Sequence, residues 1–474
     1  MRLLLQLYLV YTLSWGALFF SRDGIFWDDW VIYNSDSNKI LNAYSESGLP
    51  WIGLMHGALI ELGPGFYRLL SFILMPLTAY LFKEVLRLSG KFPESVATLA
   101  SVFFLILPIY PSRHALIVFS YNLSIFLFML ASYVLFKSRN KNNLVSSILF
   151  LSSFSLGSLL LFYYVAVIGF ISIASEKRTL RWWSLLREFP LLLLLSPTYF
   201  VFKQILFKPY GLYTGYNSIN FYGLILGLLV FVITLSPLVF FKKGKVNFRK
   251  EKTLFENIYF GIVISVIGVI PYFAVGHFPP YIEWRTRDEI LILFGGSIFV
   301  SSLYLLVKAV TPKKLSSTII CTVILVFIFT NNFVSLNYYV DFMKQKQVVN
   351  YLKELPLGGT PTLVLLDDKT ADLNIFKTPY AFYTLTGMLK KATGSEANFA
   401  INIMDIEEFN AGRFAKYYDQ NNLNYSSKDF KKPTQIILIT ISRNGKQFID
   451  VIEGDFLNFD SVISSYENFY GKNK

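Results

Sequence analysis

The stretch MRLLLQLYLVYTLSWGALFFSRDGIFWDDW, residues 1–30, joins a long apolar run to a short segment of acidic and aromatic residues. A bilayer core about 30 Å thick needs about 20 apolar residues in a helix, and residues 3–20 satisfy that length. The next residues, LFFSR, offer no small-residue cleavage site for a signal peptide. We therefore expect a retained transmembrane helix, with the acidic segment directly at the membrane surface.

The same apolar pattern continues through most of the chain. Hydrophobic residues make up 54% of the 474 residues and charged residues only 16%, against about a quarter in soluble proteins. Ten further apolar runs predict spans near 66–86, 93–110, 114–136, 143–158, 161–175, 189–207, 222–241, 255–275, 289–308 and 316–335. Later residues have ordinary soluble composition. We therefore expect a transmembrane domain over 1–337 and a soluble domain over 338–474.

Basic residues decide whether the segment 143–175 holds one overlong helix or two short ones. With two helices and a cytoplasmic N-terminus, the inner loops carry 19 Lys and Arg residues and the outer loops carry 6. One overlong helix would instead place the basic loops 177–187 and 242–252 outside. The positive-inside rule favours two, giving about eleven spans in a multi-pass cell-membrane protein with an extracytoplasmic C-terminal domain. This distribution also accounts for the net charge of +13 without nucleic acid.

The soluble domain has the pattern of a small α/β domain. Buried strands are predicted at Thr362–Leu366, Gln435–Ile441 and Phe448–Ile452, and helical or mixed structure at Ala371–Lys391 and Asp460–Tyr470. Asp367 and Asp368 follow the first strand. A strand-ending turn is the favoured interpretation of this pair, and a metal or sugar contact is the alternative.

Cysteine and histidine content limits the possible chemistry. The single cysteine, Cys321, excludes an intrachain disulfide. Three histidines and one cysteine cannot form a zinc site of the usual kind. The sequence also shows no internal repeat and no Gly-rich phosphate loop.

The first outer loop, residues 21–65, carries the most informative segment. Asp23, Asp28 and Asp29 lie at the membrane surface between Phe and Trp side chains. Adjacent carboxylates repel each other, and desolvation by aromatic rings raises a carboxyl pKa. Such a group suits a general base near neutral pH or a ligand of a divalent cation. The alternative is a solvated acidic loop within an aromatic interfacial belt.

The architecture resembles the C-type (GT-C) membrane glycosyltransferases. The resemblance rests on FWDDW at residues 26–30, placed after one transmembrane helix, and on the arrangement of residues 1–340. It implies sugar transfer from a polyprenyl-phosphate donor on the outer face of the membrane. It also implies that an Asp of the first outer loop acts as base or orients the acceptor, usually the first of the pair, here Asp28. A further acidic residue in a later outer loop is not evident, so a divalent metal is left open.

A second segment, residues 276–289, precedes the tenth predicted span. Its Arg285 and Arg287 lie on the side of the membrane that the positive-inside rule disfavours. Guanidinium groups bind phosphate oxygens in bidentate fashion, so both are candidates for a lipid-phosphate clamp. The alternatives are local pairing with Glu283, Asp288 and Glu289, or snorkelling to the interface.

Weaker candidates for substrate contact are Asp23, Arg113, His114, His56, Tyr210, Tyr213 and Tyr216. Arg113 and His114 could extend the phosphate site, although a capping or interfacial role is favoured. His56 could touch the acceptor, but packing in an interfacial helix at 51–62 is favoured. The three tyrosines could stack on sugar faces, but interfacial anchoring is favoured.

The sequence thus predicts an inverting glycosyltransferase that uses a polyprenyl-phosphate sugar and a lipid-linked glycan, polysaccharide or protein acceptor. Asp28 or Asp29 would take the acceptor proton, and Arg285 and Arg287 would stabilise the departing phosphate. No nucleotide sugar is required, in keeping with the absence of a nucleotide-binding motif. The alternatives are a lipid-linked oligosaccharide flippase or transporter, and a non-catalytic subunit of an envelope glycan assembly complex.

Overall fold

Helices form most of the structure, and a small sheet lies near its C-terminal end. The computed structural model describes residues 1–33, 35–174, 187–215, 218–236, 249–278, 283–355, 357, 362–394, 398–405, 435–444 and 447–457. The helices up to the sheet are α1 (Arg2–Trp15), α2 (Asp29–Ile32), α3 (Ser37–Glu46), α4 (Pro50–Ile60), α5 (Pro64–Leu88), α6 (Glu94–Ile106), α7 (Phe119–Ser138), α8 (Leu144–Ser153), α9 (Leu159–Ala174), α10 (Pro190–Leu206), α11 (Phe221–Leu235), α12 (Arg249–Phe273), α13 (Ile292–Val310) and α14 (Lys313–Glu354).

Each predicted apolar run contains a helix, so the chain is a polytopic helical protein. Six helical segments of the described residues are long and apolar enough to cross a membrane: Arg2–Ser21, Pro64–Leu88, Phe119–Ser138, Thr253–Phe273, Ile292–Val310 and Lys313–Glu354. The helices α6, α8, α9, α10 and α11 are also apolar but shorter, at 10–17 residues. The count of eleven spans stays a prediction.

The segment 143–175 forms two helices, as predicted. Asn143 caps α8, its side-chain oxygen accepting a hydrogen bond from the Ser146 N–H at 2.9 Å. The helix ends at Ser153, and α9 begins at Leu159. A capped start and a turn between the two helices exclude one continuous helix over this segment.

Aromatic rings and glycines pack the helices together. The ring of Phe294 on α13 lies 4.9 Å from that of Phe104 on α6, measured between centroids. A Cβ atom at Gly261 on α12 would lie 2.8 Å from the carbonyl oxygen of Gly295 on α13. The two helices can approach this closely only because both positions are glycine, a common device in membrane helix packing.

Helix α14 runs without a break from the last predicted span, residues 316–335, into the C-terminal domain that was predicted to be soluble. Its 42 residues extend about 63 Å at 1.5 Å per residue. The predicted domain boundary at residue 338 lies inside this helix. Beyond that point Val348, Val349 and Leu352 pack into the core of the soluble domain. A single helix therefore sets the position of the domain relative to the last apolar run.

The soluble domain is built on a four-stranded sheet of order β2-β1-β3-β4. The strands are β1 (Thr362–Asp368), β2 (Phe399–Asn402), β3 (Gln435–Asn444) and β4 (Gln447–Leu457). β1 is parallel to β2 and β3, and β3 is antiparallel to β4. The predicted strands correspond to β1, β3 and β4, whereas β2 was not predicted.

Residues 371–391 are mixed, as predicted, with two 3₁₀ turns followed by helix α15 (Phe382–Thr393). The helix is fixed to β2 because the Thr386 hydroxyl donates to the Ala400 carbonyl at 2.9 Å. The predicted element at 460–470 lies outside the described residues.

Candidate functional site

The acidic segment, residues 23–29, lies where the 3₁₀ turn Pro111–His114, the 3₁₀ segment Glu283–Glu289 and the C-terminal domain meet. Trp27, just before the Asp pair, has a φ of 49°, an uncommon value for a bulky residue. Its ring lies edge-on to Tyr338 of α14, with 5.5 Å between centroids. A backbone in this region costs of the order of 1–3 kcal/mol, so the surrounding contacts must impose it.

Asp29 is completely buried and is held by backbone groups. One carboxylate oxygen accepts from the Ile117 N–H at 2.9 Å, and the other accepts from the Phe26 N–H at 3.2 Å. Burial raises the pKa of Asp29 to about 6, although these N–H groups and the Arg68 guanidinium act in the opposite direction. Asp29 therefore ties the acidic segment to the start of α7.

Asp28 has side-chain partners and remains accessible, with 23% of its side chain exposed. Its Oδ1 accepts a hydrogen bond from the Tyr383 hydroxyl of α15 at 2.9 Å. Its Oδ2 lies 3.7 Å from Nη1 of Arg287. A small pocket beside it is lined by Trp27, Asp28, Ala115, Ile117, Val118 and Arg287. Of the adjacent pair, Asp28 is the carboxylate that a ligand can reach.

The two arginines of the predicted clamp differ in position. Arg287 is mostly buried, with 11% of its side chain exposed, and it lines the pocket beside Asp28. The side chain of Arg285 is exposed. Thr286, which lies between the two arginines in the chain, accepts a hydrogen bond through its hydroxyl from the Ser112 N–H at 3.2 Å. This bond fixes the arginine segment against the turn Pro111–His114. The structure therefore brings one of the two guanidinium groups to the carboxylate.

Asp288 and His277 lie behind Arg287. The Asp288 carboxylate is buried, with one oxygen 3.0 Å from Nδ1 of His277 and the other 3.9 Å from Nε of Arg287. The sequence suggested Asp288 only as a local pairing partner and suggested no role for His277. The signal available in the sequence was a histidine and an acid in residues 276–289, the segment that also holds the two arginines.

Arg113 and His114 point into the protein. The Arg113 guanidinium lies 4.2 Å from the centroid of the Trp15 ring, and its Nε donates to the Tyr110 carbonyl at 2.8 Å. The His114 ring stacks on Tyr338 at 4.0 Å between centroids. Both side chains are buried, and neither is among the residues that line the pocket. They join α1 and α14 to the turn Pro111–His114.

Two other predicted substrate contacts lie apart from the Asp28 pocket lining. The Asp23 carboxylate is exposed and lies 3.3 Å from Nε of Arg22. Tyr213 lies in the 3₁₀ turn Gly211–Tyr213, which packs against α3 through a 3.4 Å hydrogen bond from the Leu212 N–H to Glu46. Tyr210 is 56% exposed. Tyr216 lies outside the described residues.

His56 and Asp368 take up packing and pairing roles. The buried His56 ring stacks between Tyr44 and Tyr67, with centroids 5.3 Å and 5.7 Å away. Asp368, at the end of β1, binds the buried amine of Lys344 at 2.6 Å and 2.8 Å. The favoured interpretations of packing for His56 and a strand-ending position for Asp368 agree with these contacts.

Arg68 is a site-forming residue that the sequence did not single out. It is buried near the start of α5, with its guanidinium 5.2 Å from the Phe26 ring centroid. It donates to the carbonyls of Arg22, of Gly24 at 2.8 Å and of His114 at 3.2 Å. The sequence did hold a signal for Arg68, namely a basic residue near the start of the apolar run 66–86. Arg68 holds the chain just before the acidic segment and supplies a positive charge near Asp29.

The described residues contain no group of three or more His, Cys, Asp or Glu side chains that could hold a metal ion. Comparisons with protein-family models and with curated proteins gave no match. The arrangement itself offers an accessible carboxylate beside a guanidinium group. A carboxylate can accept a proton from a hydroxyl, and a guanidinium group can bind an anion.

Proposed function

We propose that this protein is an inverting membrane glycosyltransferase of the GT-C type, with a polyprenyl-phosphate sugar as donor. Its acceptor is a lipid-linked glycan, a polysaccharide or a protein. The observation that carries the proposal is the accessible Asp28 carboxylate with Arg287 3.7 Å away in one pocket. The proposed topology has eleven spans and places this pocket and the C-terminal domain on the extracytoplasmic side.

In the proposed reaction, Asp28 accepts the proton of the acceptor hydroxyl. The hydroxyl oxygen then forms a bond to the anomeric carbon on the face opposite the phosphate. The bond between that carbon and the phosphate oxygen breaks, and its electron pair leaves on the polyprenyl phosphate. Arg287 stabilises the negative charge that develops there, as preorganised donors do for other developing anions.

The separation of Asp28 and Arg287 supports this division of roles. Their closest atoms are 3.7 Å apart, beyond the usual 2.7–3.2 Å of a direct hydrogen bond. A phosphate offers a guanidinium group two parallel, charge-assisted hydrogen bonds. A bound donor phosphate would therefore draw Arg287 away and leave Oδ2 of Asp28 to the acceptor.

Turnover in proteoliposomes tests the proposal. The purified protein is given a panel of labelled polyprenyl-phosphate hexoses and pentoses, and release of polyprenyl phosphate is followed. We expect release with at least one donor, and none from an Asp28→Asn preparation. Movement of the intact lipid across the bilayer without release would favour the flippase. Neither release nor movement would favour the non-catalytic subunit.

Cysteine labelling tests the proposed topology, which rests on the excess of basic residues in the inner loops. Cys321 is first replaced by Ser, and single cysteines are then placed at exposed Asp372 and exposed Asn140. An impermeant thiol reagent should label residue 372 in intact cells and residue 140 only after permeabilisation. Labelling of residue 140 in intact cells would place the pocket on the wrong face for an outer-leaflet donor.

A further inference from the structure

Helix α15 of the soluble domain lies directly against α2, which carries Asp29 and follows Asp28. Tyr383 of α15 contacts Asp28, which lies 355 positions earlier in the chain. The domain therefore contacts the Asp28 carboxylate directly, although the residues that line the pocket all come from the preceding part of the chain.

The close approach of α15 depends on Gly387. A Cβ atom at this position would lie 2.5 Å from Cε3 of Trp30, closer than real Cβ contacts allow. Gly387 is one helical turn after Tyr383, so both residues face the acidic segment. The packing of Trp30 against Gly387 therefore sets the position of α15, and with it the position of the Tyr383 hydroxyl relative to the Asp28 carboxylate.

The contact between α15 and the acidic segment belongs to a buried apolar core. Ile25 and Trp30 of the outer loop are buried in the same apolar cluster as Leu385 and Met388 of α15. The Lys391 amine lies 5.8 Å from the Trp30 ring centroid and 5.0 Å from that of Tyr33. The acidic segment and the domain thus share one packed interior, and moving α15 would move the surroundings of Asp28.

We propose that Tyr383 is a positioning residue for Asp28, and that the soluble domain is therefore a working part of the active site. The proposal rests on the function proposed above. The Tyr383 hydroxyl occupies Oδ1 and fixes the rotation of the carboxylate, which leaves Oδ2 as the oxygen nearest Arg287. Without that hydroxyl the carboxylate can turn and pair with Arg287 through both oxygens, which removes the base and the phosphate ligand together.

Binding of polyprenyl monophosphate, measured by native mass spectrometry on the full-length protein, tests this role without an acceptor. We expect Tyr383→Phe to weaken binding by about tenfold, the scale of one hydrogen bond to a charged group. Adding Asp28→Asn to that variant should restore binding to the level of Asp28→Asn alone, because the neutral amide no longer holds Arg287. A residue that only supports the fold would give no such rescue.

Three controls separate the outcomes. Tyr304→Phe on α13 removes a hydroxyl elsewhere and should not change binding. Gly387→Ala should weaken binding in the same direction as Tyr383→Phe, whereas Gly157→Ala, whose Cβ would meet nothing within 4 Å, should not. Thermal unfolding of Tyr383→Phe should match the parent protein within a few degrees.

Unchanged binding in Tyr383→Phe, or equal weakness in the double variant, would overturn the positioning role and leave the proposed function standing. Failure of the parent protein to prefer polyprenyl phosphate over phosphatidylglycerol would instead overturn the proposed function, and the positioning role with it.

Discussion

Asp28 and Asp29 are neighbours in the chain, yet their surroundings differ in kind. Asp29 is fully buried and is held by two backbone N–H groups, which the fold fixes in place. Asp28 is partly exposed and is held by the side chains of Tyr383 and Arg287 from two distant segments. A carboxylate bound by backbone cannot change partners without local unfolding, whereas one bound by side chains can. We therefore propose a structural role for Asp29 and the catalytic role for Asp28.

Asparagine at each position is the strongest test of that comparison. Asp28→Asn should lower the rate of sugar transfer by about 10²–10⁴, because an amide cannot accept the acceptor proton. Asp29→Asn should reduce the rate much less. Initial rates of polyprenyl phosphate release measure both effects. If Asp29→Asn abolishes transfer while Asp28→Asn is tolerated, the two roles are exchanged; if both are tolerated, neither residue is the base.

The helical part of the fold was predictable because its signal is local. A run of apolar residues long enough for a bilayer can be recognised without knowing its neighbours. Strand β2 was not predicted because it has only four residues. Its position is set by the parallel pairing of Phe399 with Leu363 and by the hydrogen bond from Thr386 of α15 to Ala400. Such contacts depend on residues far apart in the chain.

The site was predictable in part for the same reason. The sequence shows the position of the Asp pair after the first helix, and it predicts an unusual outer location for Arg287. The difference between Asp28 and Asp29 is not, because it depends on Tyr383 and on the Ile117 N–H. Phosphate contact stayed an alternative for Arg113, since the sequence could not show that Trp15 and Tyr110 enclose it.

A second prediction compares the two arginines of the Glu283–Glu289 segment. Arg287→Lys should raise the donor KM about tenfold or more, because lysine keeps the charge but loses the bidentate fork. Arg285→Lys, at the exposed position, should have a smaller effect. Steady-state kinetics with a fixed acceptor measure both, and membrane insertion should be unchanged. Equal effects would mean that the pocket beside Asp28 is not the phosphate site.

The last predicted effect concerns Asp29 and the stability of the protein, not its activity. Its pKa is raised from 3.8 to about 6 in the folded protein, chiefly by burial. Between these values the native state binds more protons than the unfolded state, so stability falls as the pH rises through this range. The shift corresponds to roughly 3 kcal/mol of stability that is present below pH 4 and lost above pH 6.

Asp29→Asn should therefore change how the free energy of unfolding varies with pH more clearly than it changes that free energy at any one pH. The amide presents an NH₂ group to one of the two backbone donors, a cost that does not depend on pH. Its melting temperature relative to the parent protein should rise between pH 4.5 and pH 7.5, as the parent alone acquires a buried charge. Glu354→Gln, at an exposed carboxylate, should show no such change. A constant difference for Asp29→Asn across this range would mean that Asp29 is already ionised at pH 4.5 and that the Arg68 guanidinium and the backbone N–H groups outweigh its burial.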